Sequence, residues 1–416
     1  MDAREERGLI IANTAKIEKT PVGWKVPSQS GNGSYIVNPD HGHPFCSCPD
    51  FEKGNVCKHI HAVTFTIERE TKADGTVTET KSVKMSCTQE WHDYDYAQMH
   101  EEERFVTLLR DLCNGIPQPP QTIGRPKLPL ADVVFGLTMK SYSTMSGRRF
   151  MSSLRESEGK AMIDKAASFA SNARYLENPD LTPLLKSLIE QSANPLKAVE
   201  SDFAVDSTGF ATTTYNRWFD HKWGKVRSEA KWIKTHLMCG VKTHVVTSVE
   251  ATAYESADPK QLPALVNKTA ESFQIHEVSA DKAYSTKQCL HAVEAVNATP
   301  FIPFKSYSKG SQGTAKFDGL WNRMWHYYNF NRDAFLAHYH KRSNVETAFS
   351  MIKMKFGASV RAKTPTAQIN EVLCKILCHN ICVLIQSVVE LGIETTFWTS
   401  DTKQVVVPKV LSNMGF

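Results

Sequence analysis

Three acids far apart in the chain and one tight group of thiols and imidazoles are the residues with chemical promise in this 416-residue sequence. Asp206 follows Phe203-Ala204-Val205 and Asp281 follows Val278-Ser279-Ala280, so each closes an apolar run of buried-strand length. A carboxylate at a buried strand tip loses hydration, and two on neighbouring strands repel each other. A divalent cation relieves both costs. Hard oxygen ligands suit Mg²⁺, which keeps several waters and binds through few carboxylates. Taken singly, either aspartate reads better as a turn residue at a strand end.

Glu346 shifts that balance. Arg342 stands four residues before it, Tyr339 seven before and Lys353 seven after, so all four share one face of a helix. Val345, Phe349, Ile352 and Phe356 form an adjacent apolar stripe that can lie on a sheet. A solvated helix face with an Arg–Glu pair accounts for the spacing equally well.

The thiol group is Cys46-x-Cys48-x8-Cys57-x-His59. Three thiolates and an imidazole fill a tetrahedral Zn²⁺ shell and leave no place for water, so a structural zinc is expected. His61 is an alternative fourth ligand. Cys374, Cys378 and Cys382 recur every four residues beside His379, a spacing open to a second metal but better read as helical core packing.

The elements that must position these groups are legible in outline. Residues 20–65 read as strands followed by the Cys/His cluster, and 93–115 as a helix ending at Asn114-Gly115. Residues 116–129 hold five prolines and read as a linker. Residues 130–200 read as a helical region, with Lys140, Arg148 and Arg149 among its cations. From 201 to 395 the pattern turns α/β: three strands, a helix, a strand, a helix and a strand. Two long helices follow, from about Asn331 to Phe356 and from about Thr366 to Leu391. That order is the order of a ribonuclease-H-like domain with a mixed five-stranded sheet. Residues 396–416 form a tail.

Charge is divided unevenly. Residues 1–115 carry 13 Lys/Arg against 18 Asp/Glu, and the remainder 36 against 26. The basic part is the part expected to meet a polyanion. Between residues 215 and 236 lie six Lys/Arg and five aromatics, including Arg217, Trp218, Lys222, Trp223, Lys225 and Arg227. Cations for phosphates and aromatic faces for unpaired bases make this a candidate DNA contact, against the alternative of a solvated loop with anchoring aromatics. Gly124-Arg125-Pro126-Lys127 resembles an AT-hook core, in which Arg125 enters a minor groove; a plain Pro-rich linker is the other reading. The most apolar stretch, Ile376 to Ile393, is broken by His379, Asn380, Gln386 and Glu390, so no membrane span is expected. No signal peptide is legible, and a cytoplasmic protein with reduced cysteines is expected.

Tyr339-x2-Arg342-x3-Glu346-x6-Lys353 matches the Y-R-E-K signature of transposases of the fourth insertion-sequence family and its relatives. Val205-Asp206-Ser207 and Ala280-Asp281-Lys282 resemble that family's two aspartate motifs, over about residues 125–395 in all. The resemblance implies a bacterial or archaeal enzyme that cuts DNA at the ends of an insertion sequence and joins the freed 3′-hydroxyls to target DNA. It implies two Mg²⁺ or Mn²⁺ ions held by Asp206, Asp281 and Glu346, with Asp206 bridging them. Tyr339, Arg342 and Lys353 would hold the DNA end, and the helical region 130–200 is the candidate for binding the element's ends. A domesticated DNA-binding regulator and a nuclease without strand transfer are the alternatives. Bringing two ends together implies a homodimer on double-stranded DNA. Only 64 residues separate Asp281 from Glu346, so any insertion there is small; Trp321 or Trp325 could receive a flipped base or simply pack. The Cys/His cluster resembles a SWIM zinc finger over about residues 33–65, within a region 1–115 that also holds the following helix. The acidic balance of that region favours protein contacts or autoregulation for the finger.

Overall fold

The computed structural model describes residues 3–20, 22–28, 33–39, 44–71, 77–81, 91–121, 126–212, 232–253, 256–308, 310 and 319–398. The chain divides into two compact units between Gln89 and Glu90.

The first unit runs α1 (Ala3–Thr14), β1 (Glu18–Thr20), β2 (Gly23–Pro27), β3 (Ser34–Asn38), β4 (Phe45–Cys46), α2 (Pro49–Glu52), α3 (Lys58–Thr66), β5 (Ile67–Thr71) and β6 (Val77–Lys81). Strands β1 to β4 form one antiparallel sheet in chain order. Period-two alternation in β2 turns Trp24 and Val26 inward and Lys25 outward. They meet Ile11, Ile17, Val37, Ile60 and Val63 in a small core that also contains Cys46, Cys48 and Cys57. Helices α1 and α3 touch backbone to backbone at Gly8. A Cβ there would stand 2.5 Å from the His61 Cβ and 2.8 Å from the Lys58 carbonyl oxygen.

The second unit begins with α4 (Trp91–Met99) and α5 (Glu101–Asn114), followed by α6 (Leu130–Tyr142), α7 (Gly147–Gly159), α8 (Phe169–Glu177) and α9 (Leu181–Ala193). The division therefore falls at residue 89, not at 115 as the sequence suggests. The reason is the apolar face of α5: Phe105, Leu109 and Leu112 are fully buried in the large core, and Phe105 stacks on Tyr142 at 3.9 Å. The Pro-rich stretch also lies within this unit. Gln118 brackets it, donating to the Leu128 carbonyl (3.3 Å) and accepting from the Leu130 amide (2.7 Å), one of the orphan donors that opens α6.

The sheet comprises β7 (Asp202–Ala211), β8 (Trp232–Gly240), β9 (Val246–Ala253), β10 (Glu277–Ala280) and β11 (Thr299–Phe301). Its order is β11-β10-β7-β8-β9, with β11, β10 and β7 parallel and β7, β8 and β9 antiparallel. Helices α10 (Leu262–Ala270) and α11 (Lys287–Glu294) lie between its later strands. This is the mixed α/β, ribonuclease-H-like sheet the element order implies. Strand β7 is longer than its apolar start: Ser207 to Ala211 continue the ladder against β8. Asp206 thus sits inside a ten-residue strand and not at its tip.

Helix α12 (Gly319–Phe330) was not anticipated from the sequence. The expected continuous helix from 331 to 356 is two, α13 (Arg332–Tyr339) and α14 (Ser343–Phe356), joined by a 3₁₀ turn, His340–Arg342. Side chains compete for the backbone there: Ser343 Oγ donates to the His340 carbonyl and Asn344 Nδ2 to that of Lys341, both at 2.9 Å. Helix α15 (Pro365–Leu391) starts with Pro at N1 and stops at left-handed Gly392 (φ 64°). By length and composition it could cross a membrane, yet most of it is buried inside this unit. Asn380, fully buried, ties it to the sheet and α9. It accepts from the Val246 amide (2.9 Å) and donates to the carbonyls of Val246 (2.7 Å) and Ile189 (3.1 Å).

Candidate catalytic and zinc sites

Parallel pairing of Ala280 with Val205 brings Asp281, one residue past β10, alongside Asp206. Asp281 caps a 3₁₀ turn, its Oδ1 accepting from the Lys282 amide at 2.6 Å. Asp206 accepts from the Ser207 amide at 2.8 Å on one oxygen and from Arg342 at 2.5 Å on the other. The same guanidinium donates to Glu346 at 2.5 Å. One cation therefore spans two of the three acids across the face of the sheet. Burial pushes the Asp206 carboxyl above the usual range; the Ser207 amide and Arg342 oppose this, and the charges of Asp281 and Glu346 reinforce it. The Glu346 side chain is 54% exposed, so the acids open to solvent on that side. A desolvated carboxylate with two like charges beside it, already bridged by a positive group, is a donor set that fits a divalent cation.

Asp206, Thr208 and Phe210 alternate onto one face of β7, and the signature residues meet them there. Lys353 Nζ donates to Thr208 Oγ1 at 2.5 Å and sits 5.5 Å from the centre of the Phe210 ring. Burial pulls its ammonium below the ordinary lysine value. Tyr339 ends α13 and has its phenol pushed up, chiefly by burial and against the pull of Arg342. The break in the helix does not scatter this set, because Tyr339 still reaches Arg342 across the turn. Val345, Ala348, Phe349, Ile352 and Phe356 bury the adjoining side of α14.

One positioning residue was missed by sequence reasoning. Lys341 Nζ reaches Asp202 at 2.7 Å and Glu277 at 2.5 Å, and Glu277 also meets His338 Nδ1 at 2.6 Å. Asp202 opens β7 and Glu277 opens β10, so Lys341 pins the 3₁₀ turn across the first residues of the two strands whose later residues are the aspartates. The Lys341-Arg342 pair was its only signal.

Arg125, Arg217, Trp218, Lys222, Trp223, Lys225 and Arg227 lie outside the described residues. Trp321 packs edge-on against Phe304 at 4.8 Å, and Trp325 donates to the Ser308 carbonyl at 3.2 Å. Both are packing residues in this structure. Cys374 and Cys378 are buried, with Cys378 donating to the Thr138 carbonyl, so the periodic cysteines are core.

In the first unit, β4 and the corner after it supply Cys46 and Cys48, while Cys57 and His59 come from the start of α3. The ligand atoms of these four lie within 4.8 Å of one another, a closeness that no other group of potential metal ligands reaches among the described residues, and all four are buried. His59 turns Nδ1 toward the Cys46 sulfur at 3.9 Å. The contact between Cys46 and Cys57 pulls the Cys57 thiol down and, with burial, pushes the Cys46 thiol up. Buried sulfurs crowded this closely fit a Zn²⁺ ion, which takes every one of them as thiolate. His61 is directed elsewhere, against Gly8 and over Phe65.

Residues 197–381 match the family model described as a transposase DDE domain, and residues 35–68 match the SWIM zinc finger. The chain carries a DDE transposase domain behind a SWIM zinc finger. The DDE match begins just before β7 and ends within α15, so it contains all three acids and all four signature residues. These two matches support a transposase function, the use of a divalent metal, zinc in the finger and DNA binding.

Proposed function

We propose that the protein cleaves the ends of an insertion sequence and joins the 3′-hydroxyls to target DNA. The observation that carries this reading is the single face of β7 on which Asp206, Arg342, Glu346 and Lys353 meet. Asp206, Asp281 and Glu346 would hold Mg²⁺ or Mn²⁺, two per site, and the ions would supply activation of the attacking oxygen and stabilisation of the leaving one. Asp206, which feels the charges of both other acids, would be the ligand shared by the two ions. Arg342 offers its planar fork to a DNA phosphate, and Lys353 places a point charge beside the same strand. Tyr339 donates its hydroxyl at the far end of that face. Water attacks first and the DNA 3′-hydroxyl second, so no covalent intermediate with the protein is needed. Two copies act together on double-stranded DNA, one at each end of the element, in the cytoplasm of a bacterial or archaeal cell. The finger, in an acidic stretch, serves protein contacts.

The test is incubation of the full-length protein with DNA bearing the element's ends and Mg²⁺. Nicked and joined products are expected from the wild type, and neither from Glu346→Gln or Asp206→Asn. Joining that survives either substitution overturns the triad. Cutting without joining identifies a nuclease, and binding without cutting a regulator.

A further inference from the structure

A second cationic site lies beyond the far end of β7 from Asp206. A cavity of about 280 Å³ is lined by Lys140, Lys355, Arg361, Lys375 and Glu371. That is below the roughly 300–1,000 Å³ of small-molecule sites, and suits a single anionic group better than a whole cofactor. Lys375 is only 3% exposed. Its ammonium donates to the carbonyls of Gly357 (2.9 Å) and Ser359 (2.7 Å), and among the described residues no carboxylate pairs with it. Burial pulls it down to about 8; Glu371 opposes that, while Lys140 and Arg361 add to it.

The acids in reach are already committed. Glu371 accepts from the amides of Arg361 (3.0 Å) and Ala362 (2.8 Å) and from Lys140 (3.5 Å), and Glu101 pairs with Lys355. Arg361 is exposed, and its guanidinium makes no ion pair among the described residues. A buried cation lacking a counter-charge is costly unless an anion completes the site.

The placement points to which anion. Lys375 lies 5.8 Å from the centre of the Phe210 ring, and Lys353 lies 5.5 Å from the same ring. Phe210 stands four residues along β7 from Asp206, about 13 Å at the rise of a strand, or a few nucleotides at 3.4 Å each. Resting on the transposase reading above, we propose that this cavity binds a backbone phosphate of the DNA strand that runs to the carboxylates, with Arg361 and Lys375 as its donors.

The experiment uses the full-length protein, its Arg361→Gln and Lys375→Met variants, and a fluorescent duplex bearing the element's end, titrated without divalent metal over a salt series. Each variant should flatten the slope of log affinity against log salt by about 0.9, the loss of one phosphate contact. Unchanged slopes overturn the proposal and make Lys375 a purely structural cap on the Gly357 and Ser359 carbonyls. If Lys375→Met does not fold, Arg361→Gln decides alone, since its side chain is exposed. Inorganic phosphate separates this site from the function it rests on. At matched ionic strength it should raise the Tm of the wild type more than that of Arg361→Gln, and equal shifts count against the cavity. A wild type that ignores duplex DNA yet passes the phosphate test removes the transposase reading and leaves the anion site standing.

Discussion

The two candidate metal-binding sets of this chain are built on opposite plans. The zinc ligands come from one short segment, with His59 only 13 positions after Cys46, and converge in a small core with all four donors buried. The proposed catalytic acids come from one strand, the residue after another and a helix; 136 positions separate Asp206 from the Arg342 that reaches it, and Glu346 faces solvent. The first set is closed and leaves no position for a reactant. The second is open, held in place by a sheet and a core that do not need the metal. Folding of the first unit should therefore depend on its ion, and only chemistry should depend on the ions of the second.

Removing zinc is the harshest way to break that contrast. Structural zinc supplies about 10–16 kcal/mol in small zinc modules, more than a unit of this size can replace. Chelation, or Cys57→Ser, should abolish hydrogen-exchange protection in β2, β3 and α3 while leaving that of β7 and α15 intact. Joint loss in both units would show that the second is not self-supporting. Next comes Glu346→Gln, expected to lower strand cleavage by at least the 10²–10³ typical of losing one transition-state stabiliser. Its Tm should stay within a few degrees of the wild type, because the side chain is half exposed. A large fall in Tm would mean that the open site is also a structural one.

Acid should act on the second unit through its core. His379 is buried, donates to the His244 carbonyl at 2.9 Å, and burial holds it neutral with its pKa down to about 4. Between pH 6.5 and 4 the unfolded chain takes up a proton that the native chain refuses, so stability falls as pH falls through that window. The loss reaches about 3 kcal/mol by pH 4, and a denaturant series should find it absent from His379→Gln. The smallest effect sharpens the contrast within the zinc unit. Gly8→Ala should cost about 1–3 kcal/mol by forcing α1 off α3, seen as easier loss of zinc with no change in DNA cleavage.

What the sequence disclosed follows the same division. The zinc set was legible because its four ligands are neighbours in the chain. Asp206 and Asp281 were legible because an apolar run precedes each. The reach of β7 was not, since Ser207, Thr208 and Gly209 lack an apolar alternation and owe their strand geometry to β8. The 3₁₀ turn at His340–Arg342 was hidden because it answers to Asp202 and Glu277, far away in the chain. The apolar face of α5 announced a helix but not which core it would join. Helix α12 carried a signal, Leu320 and Met324 one turn apart and both buried, that the aromatic residues around them obscured.

The double pairing of β7 restricts how this enzyme can change. The strand is fastened to β10 over its first residues and to β8 over nearly its whole length. A substitution at Asp206, Thr208 or Phe210 removes one partner of Arg342 or Lys353. Loss of one codon between Asp202 and Val205 would rotate all three side chains to the opposite face together and present Ser207 and Gly209 to α14 instead. Length variation in this lineage is thus closed to β7 and must be accommodated in the connections between strands.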